Sequence, residues 1–127
     1  MERQPEIYIY SGISDIEKLA ERLGVNYIEK GVSVDLNRFK GMISKGTRVI
    51  VIDDDQMSLQ VDKTIVELSG GVFYGFGDVK EALRELPNLD PDIILIDYYI
   101  RGSNLNGEKL IGKVKTLVLE NRRTTEN

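Results

Sequence analysis

Short apolar runs alternate along the chain with longer segments that carry apolar residues at helical spacing. The runs are rich in β-branched and aromatic residues and lie at 7–10, 49–52, 72–76 and 93–96, with a weaker fifth run at 25–28. The segments between them repeat apolar positions every three or four residues, as amphipathic helices do; they are 15–23, 35–43, 56–68, 78–86 and 107–119. Strands that alternate with helices predict an α/β domain whose parallel sheet is covered on both faces.

Turn and capping residues fall where this pattern requires them. Asp15 and Asp35 stand before predicted helices, where a carboxylate can accept hydrogen bonds from free amide groups. Gly24 and the pair Gly70 and Gly71 follow predicted helices, where glycine adopts a left-handed conformation at little cost. Since no low-complexity linker interrupts the pattern, we predict a single domain of five β-α units that spans all 127 residues.

The composition narrows the chemistry that such a domain can perform. The chain has no Cys and no His, which excludes disulfides, thiol nucleophiles, cysteine zinc sites, Ser-His-Asp hydrolysis and phosphotransfer through a histidine of its own. The formal net charge of −4 argues against a nucleic-acid partner. No apolar stretch reaches the ~20 residues that span a bilayer, and the opening MERQPEIYIY does not resemble a leader. We therefore expect a cytoplasmic protein without a membrane partner.

Polar residues collect where the predicted strands end, and ligands of open α/β sheets bind at that edge. Ser11 follows the run 7–10, and Lys30 comes soon after the run 25–28. Asp53 and Asp54 follow the run 49–52, and Asp97 follows the run 93–96. Carboxylates crowded at the ends of buried strands repel one another and are poorly solvated, and a divalent cation offsets both effects. With oxygen ligands alone the ion is expected to be Mg²⁺, Mn²⁺ or Ca²⁺, and a site with open water positions suits Mg²⁺ best.

The same residue types suit phosphoryl chemistry. A metal ion and a lysine neutralise the charge on a phosphoryl group, a hydroxyl donates a hydrogen bond to it, and a carboxylate can accept it. Each residue taken alone also has an ordinary interpretation as a helix cap, a surface charge, a turn residue or core packing; this holds for Asp54, Asp55, Lys30, Ser11 and Tyr27. Their joint placement at strand ends is what favours a functional site.

Three successive segments share their pattern with one known family. RVIVIDDDQMSLQVDKTIVELSGG (48–71) is an apolar strand that ends in an acidic pair before a helix. GVFYGFGDVKEALREL (71–86) is a strand and a helix, and PDIILIDYYIRGSNLNGEKLI (91–111) is a strand that ends in an aspartate before a loop. Residues 48–119 thereby resemble the first three β-α units of a response-regulator receiver domain, the CheY-like phosphoacceptor module.

The amino-terminal part resembles the last two units of the same family. The family's fourth strand, which has a hydroxyl residue at its end, resembles PEIYIYSG (5–12). Its fifth strand, which has an aromatic residue and a lysine, resembles GVNYIEKG (24–31), and its last helix resembles VDLNRFKGMI (34–43). Residues 5–43 would then precede the units that they follow in the family. The resemblance implies a circularly permuted, flavodoxin-like (CheY-like) doubly wound sheet with the strand order 4-3-5-1-2 in this chain's numbering.

The resemblance also implies a role for each matching residue around a phosphoryl group. Asp97 would be the phosphoacceptor, Ser11 would donate a hydrogen bond to the phosphoryl group, and Lys30 would form an ion pair with it. Tyr27 would be the aromatic switch residue whose side chain follows Ser11 on phosphorylation.

A metal site follows from the resemblance in the same way. Asp54 would bind Mg²⁺ (or Mn²⁺) directly and Asp53 through water, while Asp97 and the backbone carbonyl of Tyr99 would complete the protein ligands. Asp55 falls outside the required acidic pair.

Two positions depart from the family pattern. Gly31 follows Lys30 where the family usually has Pro, and Arg101 stands where Pro is usual in a loop that is longer than in the family. These departures motivate an alternative function, an interaction module that has kept the receiver fold and signals without phosphorylation. A third alternative is a small phosphatase or flavin-binding protein of similar topology, against which stand the missing Gly-rich phosphate loop and the lack of an identifiable acid-base residue.

The resemblance implies a phosphoacceptor domain of two-component signalling. It would take a phosphoryl group from a partner histidine kinase or histidine phosphotransfer protein onto Asp97 and lose it by hydrolysis, so its catalysis would be limited to its own phosphorylation and dephosphorylation. The family signals through a face that corresponds to the stretch from Asp15 to Ile43. That face would bind a downstream protein, and it would also suit a homodimer.

Overall fold

The computed structural model describes residues 4–12, 15–29, 39, 41–97 and 107–126, and the side chains of the last helix as far as Val118. Within these residues, five strands and four helices follow one another along the chain. They are β1 (Glu6–Ser11), α1 (Ile16–Leu23), β2 (Asn26–Glu29), β3 (Arg48–Ile52), α2 (Gln56–Leu68), β4 (Val72–Phe76), α3 (Val79–Leu89), β5 (Ile93–Ile96) and α4 (Gly107–Glu126). The predicted α/β class is confirmed.

The five strands form one all-parallel sheet in the order β2-β1-β5-β3-β4. Read from the opposite edge, this order is 4-3-5-1-2 in the numbering of the chain. Every residue of the central strand β5 is buried, which explains why its sequence IILI is apolar on both faces. Ile96 of β5 is in register with Ile9 of β1 and with Ile52 of β3, so the carboxyl ends of these three strands lie side by side.

Apolar side chains pack on both faces of the sheet in two separate clusters. Side chains of α1, α3 and α4 form the first cluster with strand residues such as Ile50, and side chains of α2 form the second with Phe39 and strand residues such as Val51. Adjacent residues of β3 belong to opposite clusters because side chains alternate across a strand. The resulting three layers of helix, sheet and helix are compatible with a flavodoxin-like fold.

The helix ends agree with the predicted capping residues except at Asp15. Gly24 ends α1 with a φ of +69°, and Gly70 follows α2 with a φ of +89°, values that favour glycine. Asp55 caps α2, because its side chain accepts hydrogen bonds from the amides of Met57 and Ser58. Asp15 itself has a φ of +61° and makes no capping hydrogen bond through its side chain, since this backbone is not the extended one from which a carboxylate reaches the first turn.

Two helices are longer than the sequence pattern predicts. α3 continues to Leu89 through Pro87, which lies in its last turn and removes only one backbone hydrogen bond there. α4 continues to Glu126, beyond the last apolar position at Leu119.

The predicted helix 35–43 is described only at its carboxyl end. There the amide of Met42 donates to the carbonyl of Phe39 at 3.0 Å, and Gly41 and Met42 lie in a turn instead of a helix. Gly41 has a φ of +81°, a left-handed conformation that ends a helix. The rest of this segment, including the expected cap at Asp35, lies outside the described residues.

Two apolar residues of α2 face solvent. Met57 and Leu68, at the two ends of the helix, are 79% and 77% exposed, although they share the apolar character of the buried Leu59 and Ile65. Throughout the described part of the chain, no helix combines the length and the apolar character that crossing a bilayer requires.

Candidate functional site

Three aspartates converge at the carboxyl ends of the two central strands β3 and β5. Asp53 follows β3 and Asp97 follows β5, and the amide of Asp97 donates to the carbonyl of Ile52 at 2.9 Å, which extends the strand pairing to the site. Asp53, Asp54 and Asp97 each offer a carboxylate oxygen within 4.8 Å of the others. Asp53 is fully buried, and the other two are partly buried.

The chemistry of this acidic cluster (Asp53, Asp54 and Asp97) fits a hard divalent cation. Negative charges at this separation repel one another, and burial withdraws the water that would otherwise solvate them. All the donors are carboxylate oxygens, which Mg²⁺, Mn²⁺ and Ca²⁺ prefer to the nitrogen and sulfur ligands that the chain lacks. The cluster can therefore hold a metal ion, as the sequence predicted for these three residues.

A short hydrogen-bond chain fixes the acidic cluster to the start of α2. The amide of Asp55 donates to Oδ1 of Asp53 at 2.9 Å. The Asp55 carboxylate in turn accepts bonds from the amides of Met57 at 3.0 Å and Ser58 at 3.4 Å. Asp55 thus has the ordinary role of a helix cap and does not belong to the cluster, and the direction of α2 is tied to the position of the Asp53 carboxylate.

Ser11 lies at the same edge of the sheet as the acidic cluster. It is the last residue of β1, it is 4% exposed, and it follows by two positions the row in which Ile9, Ile96 and Ile52 are aligned. Asp53 and Asp97 follow that row by one position. The sheet register therefore brings the hydroxyl residue and the carboxylates to one edge, as predicted.

Tyr27 lies on the edge strand β2, where it is in register with Ile9, and its side chain is 38% exposed. An exposed position on an edge strand also fits ordinary surface packing, and the switch role of Tyr27 stays a prediction. The predicted roles of Lys30 and of the Tyr99 carbonyl lie outside the described residues, as do the two departures from the family pattern, Gly31 and Arg101.

The structure also contains a buried polar pair that sequence reasoning missed. The hydroxyl of Tyr10 on β1 donates to Oδ1 of Asp62 on α2 at 3.1 Å, and both residues are fully buried. The spacing of α2 carried a signal for it, since Asp62 lies three residues after Leu59 and three before Ile65, on the face that packs against the sheet. A charged residue on an apolar helix face indicates a buried partner.

Comparison with known proteins gives no match: neither a family model, nor a curated protein, nor a solved structure is significantly similar to the chain.

Proposed function

We propose that this protein is a phosphoacceptor receiver domain whose units are circularly permuted and whose phosphoacceptor is Asp97. The observation that carries the proposal is the acidic cluster, in which Asp97 ends the central strand within reach of the carboxylates of Asp53 and Asp54. An aspartate beside two metal-binding carboxylates is the arrangement that metal-assisted phosphorylation of a carboxylate requires.

The layering of the domain supports the same proposal. In the resemblance, α2 and the segment 34–43 correspond to the family's first and last helices, which share one face of the sheet. In this structure α2 and Phe39 contribute to one apolar cluster, while α1, α3 and α4 contribute to the other. The strand order β2-β1-β5-β3-β4 is the flavodoxin-like order once residues 5–43 are assigned to the family's fourth and fifth units.

In the proposed reaction, an Oδ atom of Asp97 attacks the phosphorus of a phosphohistidine on the partner protein. The P–N bond breaks, its electron pair stays with the histidine nitrogen, and the imidazole takes up a proton. Asp53 and Asp54, together with Asp97, would hold Mg²⁺ or Mn²⁺, which supplies positive charge against the phosphoryl oxygens. Ser11 donates a hydrogen bond to the phosphoryl group and Lys30 forms an ion pair with it. Attack of water on phosphorus later releases phosphate and restores the Asp97 carboxylate.

The proposed partners follow from the residues that the chain lacks. Because it has no His, the phosphohistidine belongs to another protein, a histidine kinase or a histidine phosphotransfer protein. The phosphorylated state is expected to be read through the face that includes α1 and β2, where Tyr27 is exposed, by a downstream protein or by a second copy of the chain.

Phosphorylation with a small phosphodonor tests the proposal. Wild type, incubated with Mg²⁺ and acetyl phosphate or phosphoramidate, should gain the mass of one phosphoryl group, and Asp97→Ala should not. Asp55→Asn is the matched control, since it removes a neighbouring carboxylate outside the acidic cluster and keeps the oxygen that caps α2. A folded wild-type protein that forms neither this adduct nor a beryllofluoride complex overturns the proposal and favours an interaction module that signals without phosphorylation.

A further inference from the structure

The buried pair of Tyr10 and Asp62 connects two parts of the domain that the sheet keeps apart. Tyr10 is on β1 and Asp62 is on α2, which follows β3, and β5 lies between β1 and β3. The 3.1 Å hydrogen bond joins residues 52 positions apart in the chain and crosses over β5, the strand that Asp97 follows.

Each residue of this hydrogen bond lies on an element that reaches the candidate site at one of its ends. Tyr10 immediately precedes Ser11, the hydroxyl residue at the end of β1. On the other side, Asp62 lies two helical turns after Asp55, whose amide holds the Asp53 carboxylate at 2.9 Å. The strand that carries the hydroxyl and the helix that begins at the acidic cluster are therefore linked through one buried contact.

A carboxylate is a costly group to bury in an apolar layer. Asp62 and Tyr10 are fully buried beside Leu59, Ile65 and Val66, where an apolar pair of similar volume would avoid the desolvation of polar groups. Such a pair contributes direction and fixed geometry more than stability, because one specific donor has to meet one specific acceptor.

We propose that Tyr10 and Asp62 are positioning residues for the phosphoryl site, which hold the Ser11 strand in a fixed relation to the Asp53 end of α2. This inference rests on the proposed phosphoacceptor function. The pair touches neither metal nor phosphoryl group, so its loss should weaken the binding of a phosphoryl group, which needs Ser11 and the metal site together. Binding of the metal ion alone, which does not need Ser11, should change little.

The test compares Mg²⁺ affinity with beryllofluoride affinity in saturating Mg²⁺. Tyr10→Phe and Asp62→Leu should bind beryllofluoride roughly tenfold more weakly, the scale of one lost hydrogen bond to a charged group, with Mg²⁺ affinity within about twofold of wild type. Asp62→Asn keeps an acceptor oxygen for the Tyr10 hydroxyl and should restore most of the beryllofluoride affinity.

Tyr8→Phe is the matched control for the loss of a tyrosine hydroxyl. Tyr8 lies two residues before Tyr10 and packs against the same apolar cluster, but its hydroxyl donates to the exposed Glu6 at 2.7 Å and does not reach α2. This variant should bind both Mg²⁺ and beryllofluoride within about twofold of wild type. If Tyr10→Phe fails to fold, the double variant Tyr10→Phe with Asp62→Leu, which removes the buried Asp62 carboxylate together with the Tyr10 hydroxyl, replaces it in the comparison.

Each result has one meaning. A larger loss of beryllofluoride than of Mg²⁺ affinity in Tyr10→Phe and Asp62→Leu, small in Asp62→Asn and absent in Tyr8→Phe, supports the positioning role. Equal losses of both affinities, or a Tyr10→Phe variant that behaves like Tyr8→Phe, overturn it while the phosphoacceptor function stands. A wild-type protein that binds neither Mg²⁺ nor beryllofluoride contradicts the proposed function and this inference with it.

Discussion

Neighbouring aspartates at the end of β3 have different roles because their carboxylates meet different groups. The Asp53 carboxylate accepts a hydrogen bond from the Asp55 amide and lies in the acidic cluster. The Asp55 carboxylate instead accepts hydrogen bonds from amides in the first turn of α2. The run of three aspartates therefore supplies two carboxylates to the acidic cluster, which can hold a metal ion, and then a helix cap. Both carboxylates accept hydrogen bonds from backbone amides near the start of α2, which the helix itself cannot pair.

Removing the cap should destabilise the domain without altering the acidic cluster. Asp55→Ala is expected to lower the free energy of unfolding by about 1 kcal/mol, the usual cost of a lost N-cap, as measured by urea denaturation. Asp55→Asn keeps an acceptor oxygen and should lose much less. Equal losses in both variants would mean that the charge of Asp55, and not its capping bond, stabilises α2.

Tyr8 should make the stability of the domain sensitive to alkaline pH. Burial, the hydrogen bond to Glu6 and the negative charge of Glu6 raise the pKa of Tyr8 from 10.0 to about 12. Because the folded state holds this proton more tightly than the unfolded chain, the stabilisation is complete below pH 10 and is lost as the pH rises towards about 12.

Urea denaturation between pH 9 and 12 checks this expectation. The wild-type midpoint should fall more steeply over that range than the midpoint of Tyr8→Phe, in which the titrating hydroxyl is absent while the other tyrosines and the lysines remain. Parallel pH profiles for the two proteins would show that Tyr8 titrates alike in the folded and unfolded states.

At the scale of elements, the connection from α2 to β4 passes close to neighbouring backbone and side-chain atoms. Gly71 connects α2 to β4, and a Cβ atom there would lie 2.8 Å from Ile43 Cγ2, 2.9 Å from Val66 Cγ1 and 3.0 Å from the carbonyl oxygen of Thr47. The backbone oxygen and the branched side chains around it have little freedom to give way. Glycine is required here by packing, in addition to the left-handed conformation of Gly70 beside it.

The two glycines Gly71 and Gly112 should respond to alanine in opposite directions. Gly71→Ala is expected to destabilise the domain by about 1–3 kcal/mol, the range for overpacking a filled site. Gly112 lies inside α4, and apart from its chain neighbours and the adjacent helix backbone no described atom lies within 4 Å of an added Cβ, so Gly112→Ala should stabilise the domain by about 0.5–1 kcal/mol. Urea denaturation of both variants decides the point, and a destabilised Gly112→Ala would contradict the open surface of α4 at that position.

At the scale of the whole molecule, the acidic cluster joins elements that are far apart in the chain. Asp53 and Asp54 follow β3, Asp97 follows β5, and folding brings their carboxylates within 4.8 Å. In the unfolded chain these charges are separated and solvated. A cation that binds the folded cluster therefore stabilises the whole domain by mass action.

Mg²⁺ should raise the unfolding free energy by about 2.7 kcal/mol when its free concentration is a hundredfold above its dissociation constant. Denaturation in MgCl₂ and in EDTA, at ionic strength equalised with NaCl, measures this gain. Asp97→Asn should be more stable than wild type in EDTA, because one of three repelling charges is gone, and should lose most of the gain in Mg²⁺. A gain that persists in Asp97→Asn, or that NaCl reproduces, would contradict a metal ion bound by the cluster.

The sequence by itself determined the elements and the composition of the acidic cluster. Apolar alternation and helical spacing are local properties, so they predicted the five strands and most of α1–α4 from neighbouring residues alone. Since parallel strands end at a common edge, the placement of Asp53, Asp54 and Asp97 directly after strands was enough to predict that they meet. Local signals served less well at Asp15, whose backbone conformation prevents the expected cap.

Only the tertiary structure decided which apolar side chains are exposed and which acidic side chain of α2 is buried. Met57 and Leu68 are apolar yet exposed, and Asp62 is charged yet fully buried. The burial of Asp62 depends on Tyr10, which lies 52 positions away and reaches it across β5. The spacing of α2 indicates that Asp62 has a buried partner, but no local pattern identifies that partner, because the order of the strands decides which distant residues meet. That order makes the Tyr10–Asp62 contact possible and brings the acidic cluster to one edge of the sheet.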